Sequence, residues 1–211
     1  MSHFENLSEA VIAGNEQKVV ELTGLALNDG VAPLSIINDG LIAGMNVVGK
    51  RFKEGDMFVP EVLMSARAMG AGVELIKPHL LDGEVPNKGT IVIGTVKGDL
   101  HDIGKNLVSM MLESSGYKVI DMGVDTAPEE FVAAAKEHNA QVVGLSALLT
   151  TTMLSMKETI EAFKSAGIRD NVKIIVGGAP ISQSFCDEIG ADGYSTDAAA
   201  ATELVGKLLN Q

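Results

Sequence analysis

Tryptophan is absent from these 211 residues, aromatic residues make up only 4%, and there is a single cysteine. One cysteine excludes an internal disulfide and any cluster of thiolate metal ligands. Spaced with Ile181, Phe185 and Ile189, Cys186 is expected to be a small hydrophobe on a helix. With so few rings, the core must be built from aliphatic side chains and ten methionines. Basic residues are scarce as well: 16 Lys and Arg against 28 Asp and Glu give a formal net charge of −12. That balance argues against nucleic acid or an anionic membrane surface as a partner, since both are polyanions. No eighteen consecutive residues are apolar, so no segment is suited to spanning a bilayer. The start Met1-Ser2-His3-Phe4-Glu5 lacks the basic region and apolar run of a signal peptide, and a cytoplasmic location is expected. Internal repeats and low-complexity tracts are lacking too. A hydrophobic fraction of 46% instead implies a well-packed globular chain, long enough for two small domains.

Two hydrophobic periods divide the chain. From about residue 2 to 78 the apolar positions recur at helical spacing. Helices are expected near 6–13 and 16–26. A third starts at Pro33 and carries the seam Leu34, Ile37, Leu41, Met45, Val48 and Phe52. A fourth starts at Pro60 and carries Leu63, Ala66, Met69, Val73 and Ile76. Proline suits a first helical turn, where its missing N–H is not needed. Short connections make these a four-helix bundle over 1–78. Residues 79–88, with Asp82, Gly83, Pro86 and Asn87, form a linker by composition.

From residue 89 strands and helices alternate. Strands are expected at 90–95, 118–121, 142–146, 173–176 and 193–195. Helices are expected near 103–115, 128–137, 152–165, 182–189 and 197–209. The fold class is therefore α/β, with a flavodoxin-like (Rossmann-like) five-stranded parallel sheet over 89–211, in the order 2-1-3-4-5, behind an N-terminal four-helix bundle. Ligands of such sheets bind at the carboxyl ends of the strands. Three of those ends carry unusual residues. The first gives Asp99-Leu100-His101-Asp102-Ile103-Gly104, the third Ser146-Ala147-Leu148-Leu149-Thr150-Thr151-Thr152, and the fourth Gly177-Gly178-Ala179-Pro180. Since the first, third and fourth strands are neighbours, the three loops meet on one edge. A carboxylate beside a histidine fixes its tautomer and raises its basicity, which suits a metal ligand. Hydroxyls supply hydrogen bonds, and paired glycines permit close backbone approach.

With 41 residues between Gly104 and Ser146, and 28 between Leu148 and Gly177, the pattern Asp-x-His-x-x-Gly, Ser-x-Leu, Gly-Gly resembles the signature of cobalamin-binding domains. The stretch Gly55–Leu63, with Ser65 and Ala66, looks like the helical cap preceding that domain in methyl-carrying corrinoid proteins. The resemblance is to the corrinoid subunits of methyltransferase systems for methanol, methylamines, betaines or aryl methyl ethers, and more distantly to the cobalamin module of methionine synthase. It implies a cap domain over 1–78 and a domain over 89–211 binding cobalamin or a related corrinoid in methyl and cob(I)alamin states. The nucleotide tail would insert into the α/β domain, with His101 taking its place as lower axial ligand to cobalt. Asp99 would partner His101, and Thr152 would bond to Asp99 where the methionine synthase module carries serine. Gly104 belongs to the ligand motif. Ser146, Leu148 and Thr150 would meet the corrin underside and tail, Gly177 and Gly178 the tail channel, and Phe52 and Val59 the upper face. The implied partners are a substrate-specific methyltransferase, an acceptor methyltransferase acting on a pterin or thiol, and a reductive activase. The chain would then be a shuttling subunit without a substrate pocket of its own.

Plainer readings stand beside these. Asp99 is also a residue that caps helices, and the 146–152 stretch is also a turn in which Thr151 serves as a cap. The glycine pair is also a turn, and Phe52 and Val59 also fit the bundle core. Lys97 and Lys105, flanking the histidine loop, are expected to be solvated, as is Asp102. An adenosylcobalamin-binding mutase subunit and a cobalamin-based sensor remain functional alternatives. A phosphate-receiver domain is rejected, because the third strand ends in Ser146 rather than a phosphorylatable aspartate.

Overall fold

The computed structural model describes residues 2–80 and 87–210. They fall into two compact units, helical up to residue 87 and α/β from residue 88, apart from the short turn 114–116. Of the connection expected over 79–88, residues 81–86 lie outside the described residues; Lys77–His79 forms one 3₁₀ turn.

The helical unit starts with α1 (His3–Ile12), and Ser2 and Glu5 close a reciprocal cap at its N-terminus. Asn15 caps α2 (Glu16–Asn28) through its Oδ1, which accepts from the Lys18 amide at 3.0 Å. The third helix is not the single α-helix that its seam implies. A turn of helix, α3 (Pro33–Ser35), passes into a π-helical stretch over Ile36–Ile42 and then into α4 (Ala43–Glu54). Asn38, Asp39 and Gly40 are weak α-helix formers, and the wider π turn brings both Ile36–Ile37 and Leu41–Ile42 into the core. Gly40 and Gly44 sit directly against Leu7 and Val11 of α1, where a Cβ would clash. A left-handed Gly55 ends α4. The fourth helix, α5 (Val59–Ile76), has Pro60 in its first turn, and the Phe58 amide donates to Glu61 Oε2 at 2.8 Å. Leu7, Val11, Val19, Ile36, Leu41, Val48, Val62 and Ile76 form the dry centre.

The α/β unit alternates β1 (Thr90–Thr95), α6 (Ile103–Ser114), β2 (Lys118–Asp121), α7 (Pro128–Glu137), β3 (Val142–Ser146), α8 (Met153–Ser165), β4 (Lys173–Gly177), α9 (Gln183–Ile189), β5 (Gly193–Ser195) and α10 (Ala198–Leu209). All neighbouring strands are parallel, in the expected order β2-β1-β3-β4-β5. Both faces are covered, so the strands are almost continuously apolar, yet alternate residues still serve opposite faces. Val92, Val143, Leu145, Ile174 and Val176 meet Phe131, Met156, Ile160, Phe163 and Cys186 on one face. Ile91, Val142 and Ile175 meet Leu112 and Val205 on the other. The register aligns Thr95 with Ser146, Ser146 with Gly177 and Gly177 with Ser195. The carboxyl ends of four strands are therefore flush, and their loops leave from one edge.

Candidate functional site

Asp99 lies at the end of the short connection out of β1 and is fully buried. A buried carboxylate is costly unless donors surround it, and five do. Its Oδ1 accepts from the His101 backbone amide at 3.1 Å and meets His101 Nδ1 at 2.7 Å. Its Oδ2 accepts from Leu148 N–H at 2.7 Å, Leu149 N–H at 3.3 Å and Thr152 Oγ1 at 2.7 Å. Burial alone would raise the Asp99 pKa; the bonds from Thr152, Leu148 and both His101 groups outweigh it and hold the carboxyl well below the usual carboxylate range.

An ionised Asp99 determines the state of its neighbour. The carboxylate can only accept, so the proton between the pair belongs to His101 Nδ1. In the neutral imidazole Nε2 is then the atom with the lone pair. The His101 side chain is half exposed, and among the described residues Nε2 has no hydrogen-bond partner. Its carbonyl is held by the buried Thr95 hydroxyl at 2.8 Å. The histidine thus offers a ring that is fixed on one side and open on the other.

Thr152 is the N-cap residue of α8, but it makes no side-chain cap bond there. Its hydroxyl faces Asp99 Oδ2 and the Leu149 carbonyl at 2.7 and 2.9 Å, and the charged acceptor is the stronger partner for its one proton. The capping role expected for Thr151 is therefore misplaced: it is Thr152 that occupies the position, with its hydroxyl turned to Asp99. The helix-capping reading of Asp99 is likewise replaced by this network.

The remaining predicted residues divide by unit. Ser146 ends β3, and its hydroxyl has no partner among the described residues. Leu148 and Thr150 are exposed on the following loop. Gly104, in the first turn of α6, is exposed, and a Cβ added there would meet nothing within 4 Å. Gly177 ends β4, and Gly178 has φ 132°, with a virtual Cβ only 1.9 Å from the Ala147 carbonyl oxygen. That glycine is required by the close approach of the β4 loop to the β3 loop. Phe52, half buried at the end of α4, and Val59, exposed at the start of α5, lie on the helical unit on either side of the 55–58 turn. Phe58 in that turn is 65% exposed.

Lys97 and Asp102 are exposed as expected, but Lys105 is not. Its side chain is buried, and Nζ pairs with Asp121 at 2.6 Å and with Asn106 Oδ1 at 2.6 Å. The pairing follows from strand order, because β2 lies next to β1 and brings Asp121 to the first turns of α6.

Sequence reasoning also passed over Leu100 and Ile103, which are 71% and 83% exposed on either side of His101. They are two of the three unspecified positions of the Asp-x-His-x-x-Gly motif, Asp102 being the third. With the exposed Leu148 and Leu149 they make the surroundings of the histidine apolar. Two unlike needs are met here: an oriented nitrogen with a free lone pair, and apolar surface for a flat macrocycle. The donor set fits a corrin whose cobalt takes one imidazole ligand. Among the described residues no group of three or more His, Cys, Asp or Glu could hold a bare metal ion. Nor is any helix among them long and apolar enough to cross a membrane.

Comparison with known proteins agrees with this chemistry. A B12 binding domain model matches residues 89–203, and a second B12 binding domain model matches residues 3–77. Over 214 residues the chain is 46% identical to a corrinoid protein of Desulfitobacterium hafniense (strain Y51), covering 100% of this chain and 99% of that one. It is also 46% identical over 207 residues to dimethylamine corrinoid protein 1 of Methanosarcina acetivorans, covering 98% and 97%. Among solved structures, the methanol:cobalamin methyltransferase complex of Methanosarcina barkeri contains a chain with a TM-score of 0.89 and 35% identity, covering 99% of this chain and 80% of that chain.

Proposed function

This chain belongs to the B12-binding corrinoid proteins of methyltransferase systems, and from that membership we propose how its own residues carry a methyl group from one protein to another. The observation that carries the reading is the Asp99–His101 pair, with Nδ1 bound and Nε2 left open. When bound, the corrinoid supplies a cobalt that accepts a methyl group from one methyltransferase and yields it to the next.

His101 would ligate the cobalt through Nε2. Asp99 would keep the proton on Nδ1 and hold the ring in place, and Thr152 holds Asp99. Leu100, Ile103 and Leu148 would give the ring system apolar contact. Ser146 and Thr150 would offer hydroxyls to the cofactor's nucleotide tail, Gly104 would leave room at the start of α6, and Gly177 and Gly178 would border the tail. Phe52 and Val59, with the exposed Phe58, would offer apolar side chains to exclude water from a bound methyl group.

The partners of this reading are a substrate-specific methyltransferase, an acceptor methyltransferase using a pterin or thiol, and a reductive activase. Relatives named for dimethylamine and for a methanol:cobalamin methyltransferase favour methyl chemistry over an adenosyl mutase or a sensor. The net charge of −12 argues against DNA as a partner.

The test is reconstitution with hydroxocobalamin, followed by visible spectroscopy of the wild type and His101→Ala. Stoichiometric binding with a ligand-field change lost in His101→Ala is expected. So is methylation of the reduced cofactor by a methylamine or methanol methyltransferase. Failure to bind cobalamin, or exclusive preference for the adenosyl form, would end the carrier reading.

A further inference from the structure

Asp125 lies between β2 and α7, exposed to solvent, with φ 53° in the left-handed region. That conformation is unfavourable for any residue with a Cβ, though Asp and Asn tolerate it better than most. Core packing does not require the residue. Two hydrogen bonds account for it. The Asp125 amide donates to the Asp99 carbonyl at 3.0 Å, and its Oδ1 accepts from the Gly98 amide at 2.6 Å. The grip therefore falls on Gly98 and on Asp99, whose side chain is the buried carboxylate.

The segment that carries Asp125 is itself anchored to β1. Thr95 N–H donates to the Gly123 carbonyl, Thr126 N–H donates to the Thr95 carbonyl, both at 3.0 Å, and Val96 and Thr126 form a bridge. Asp121, paired with Lys105, also accepts from Gly123 N–H at 2.8 Å. Thr95 in turn holds the His101 carbonyl. We infer that Asp125 is a positioning residue for His101: it fixes the main chain at Gly98 and Asp99 from outside, so that Asp99 presents the imidazole Nε2 in one direction. The inference rests on the reading of His101 as the lower ligand of a corrinoid. A fixed ring can let go of cobalt and return to it without the loop having to reorder, which is what a repeated on–off ligand requires.

The replacements separate this role from local stability. Asp125→Asn keeps the acceptor oxygen and tolerates the backbone conformation. Asp125→Gly removes the acceptor, while its own ease at positive φ offsets the lost bond in overall stability. Two readouts apply. In the apoprotein, amide hydrogen exchange is followed over residues 98–101. In protein labelled with ¹⁵N-histidine and loaded with cob(II)alamin, the electron paramagnetic resonance doublet from an axial ¹⁵N counts the cobalt that His101 ligates.

In Asp125→Gly, faster exchange is expected, together with a fall of about threefold in the ratio of His101-ligated to unligated cobalt read from the doublet, the scale of one hydrogen bond. Cobalamin stoichiometry and melting temperature should stay near wild type, and Asp125→Asn should restore both signals. A glycine variant that matches wild type in exchange and doublet overturns the inference, and so does an asparagine variant as defective as glycine. A doublet that falls only together with melting temperature assigns Asp125 to folding alone, and also overturns it. A wild-type protein with no doublet overturns the ligand reading itself, an outcome distinct from the other three.

Discussion

Thr152 Oγ1 lies 2.7 Å from Asp99 Oδ2, and α8, whose N-cap is Thr152, is left without a side-chain cap. A cap bond is worth about 1 kcal/mol to a helix, so its diversion to a buried anion is where this loop's local and functional needs diverge. Thr152→Val keeps the shape and removes one of the donors around that anion. The apoprotein should lose about 1–3 kcal/mol at neutral pH, whereas Thr152→Ser should lose less than about 1 kcal/mol, the value of one buried methyl. Because Asp99 ionises more readily folded than unfolded, its stabilisation is present above the unfolded value near ~3.9 and fades as pH falls below it. The valine deficit should therefore shrink in acid. Urea unfolding at several pH values measures this; a valine variant as stable as wild type at pH 7 would contradict the network.

Cys186 is buried on α9 in the core beneath β3 and β4. Burial first, and then the nearby Asp187 and Asp192, push its thiol pKa up, with Gln183 opposing. A free thiol ionises near ~8.5, so this one stays protonated and shielded at pH 8. Labelling with a disulfide reagent should be negligible in the native protein and should follow the unfolding curve in urea. Rapid labelling without denaturant would show the core opening locally, against this packing.

Among the described residues, the buried Thr23 Oγ1 on α2 has no hydrogen-bond partner. An orphaned hydroxyl costs about 1–3 kcal/mol, and valine fills nearly the same space. Thr23→Val should therefore raise the apoprotein's stability by about 1 kcal/mol, read as a higher urea midpoint at unchanged slope. A lower midpoint would mean that the hydroxyl has a partner in solution.

The sequence alone revealed whatever depended on period and on strand order. The run Ile91–Val96 could only be a strand covered on both faces, and the order 2-1-3-4-5 brought the Asp99, Ser146 and Gly177 loops to one edge. Features that depend on how individual side chains share space were hidden. The π-helical turn at Ile36–Ile42 keeps the same apolar seam as an α-helix, so the spacing did not betray it. Lys105 has the composition of a solvated helix start, and its burial is visible only once β2 places Asp121 beside it. Asp125 follows the second strand, outside the three loops whose composition stands out. The second strand is equally adjacent to the first, and that adjacency was the available signal. Leu100 and Ile103 went unseen as the variable letters of a motif.

Gly178 and Gly104 are glycines for opposite reasons, and alanine should separate them. At Gly178 the backbone has φ 132° and a Cβ would fall 1.9 Å from the Ala147 carbonyl oxygen. Gly178→Ala should cost the apoprotein roughly 2 kcal/mol or more from strain and displacement of the loop. At Gly104 the backbone is helical and nothing lies within 4 Å of where an alanine methyl would sit, so alanine should leave stability equal or raise it by up to about 1 kcal/mol. If the open space above Gly104 is where the corrin approaches the start of α6, the same alanine should weaken cobalamin binding at least tenfold by titration. Thermal melting and cobalamin titration of both variants decide the matter. A Gly104→Ala protein that binds cobalamin as tightly as wild type would remove Gly104 from the site and leave its glycine without a structural reason, because neither backbone conformation nor packing demands it.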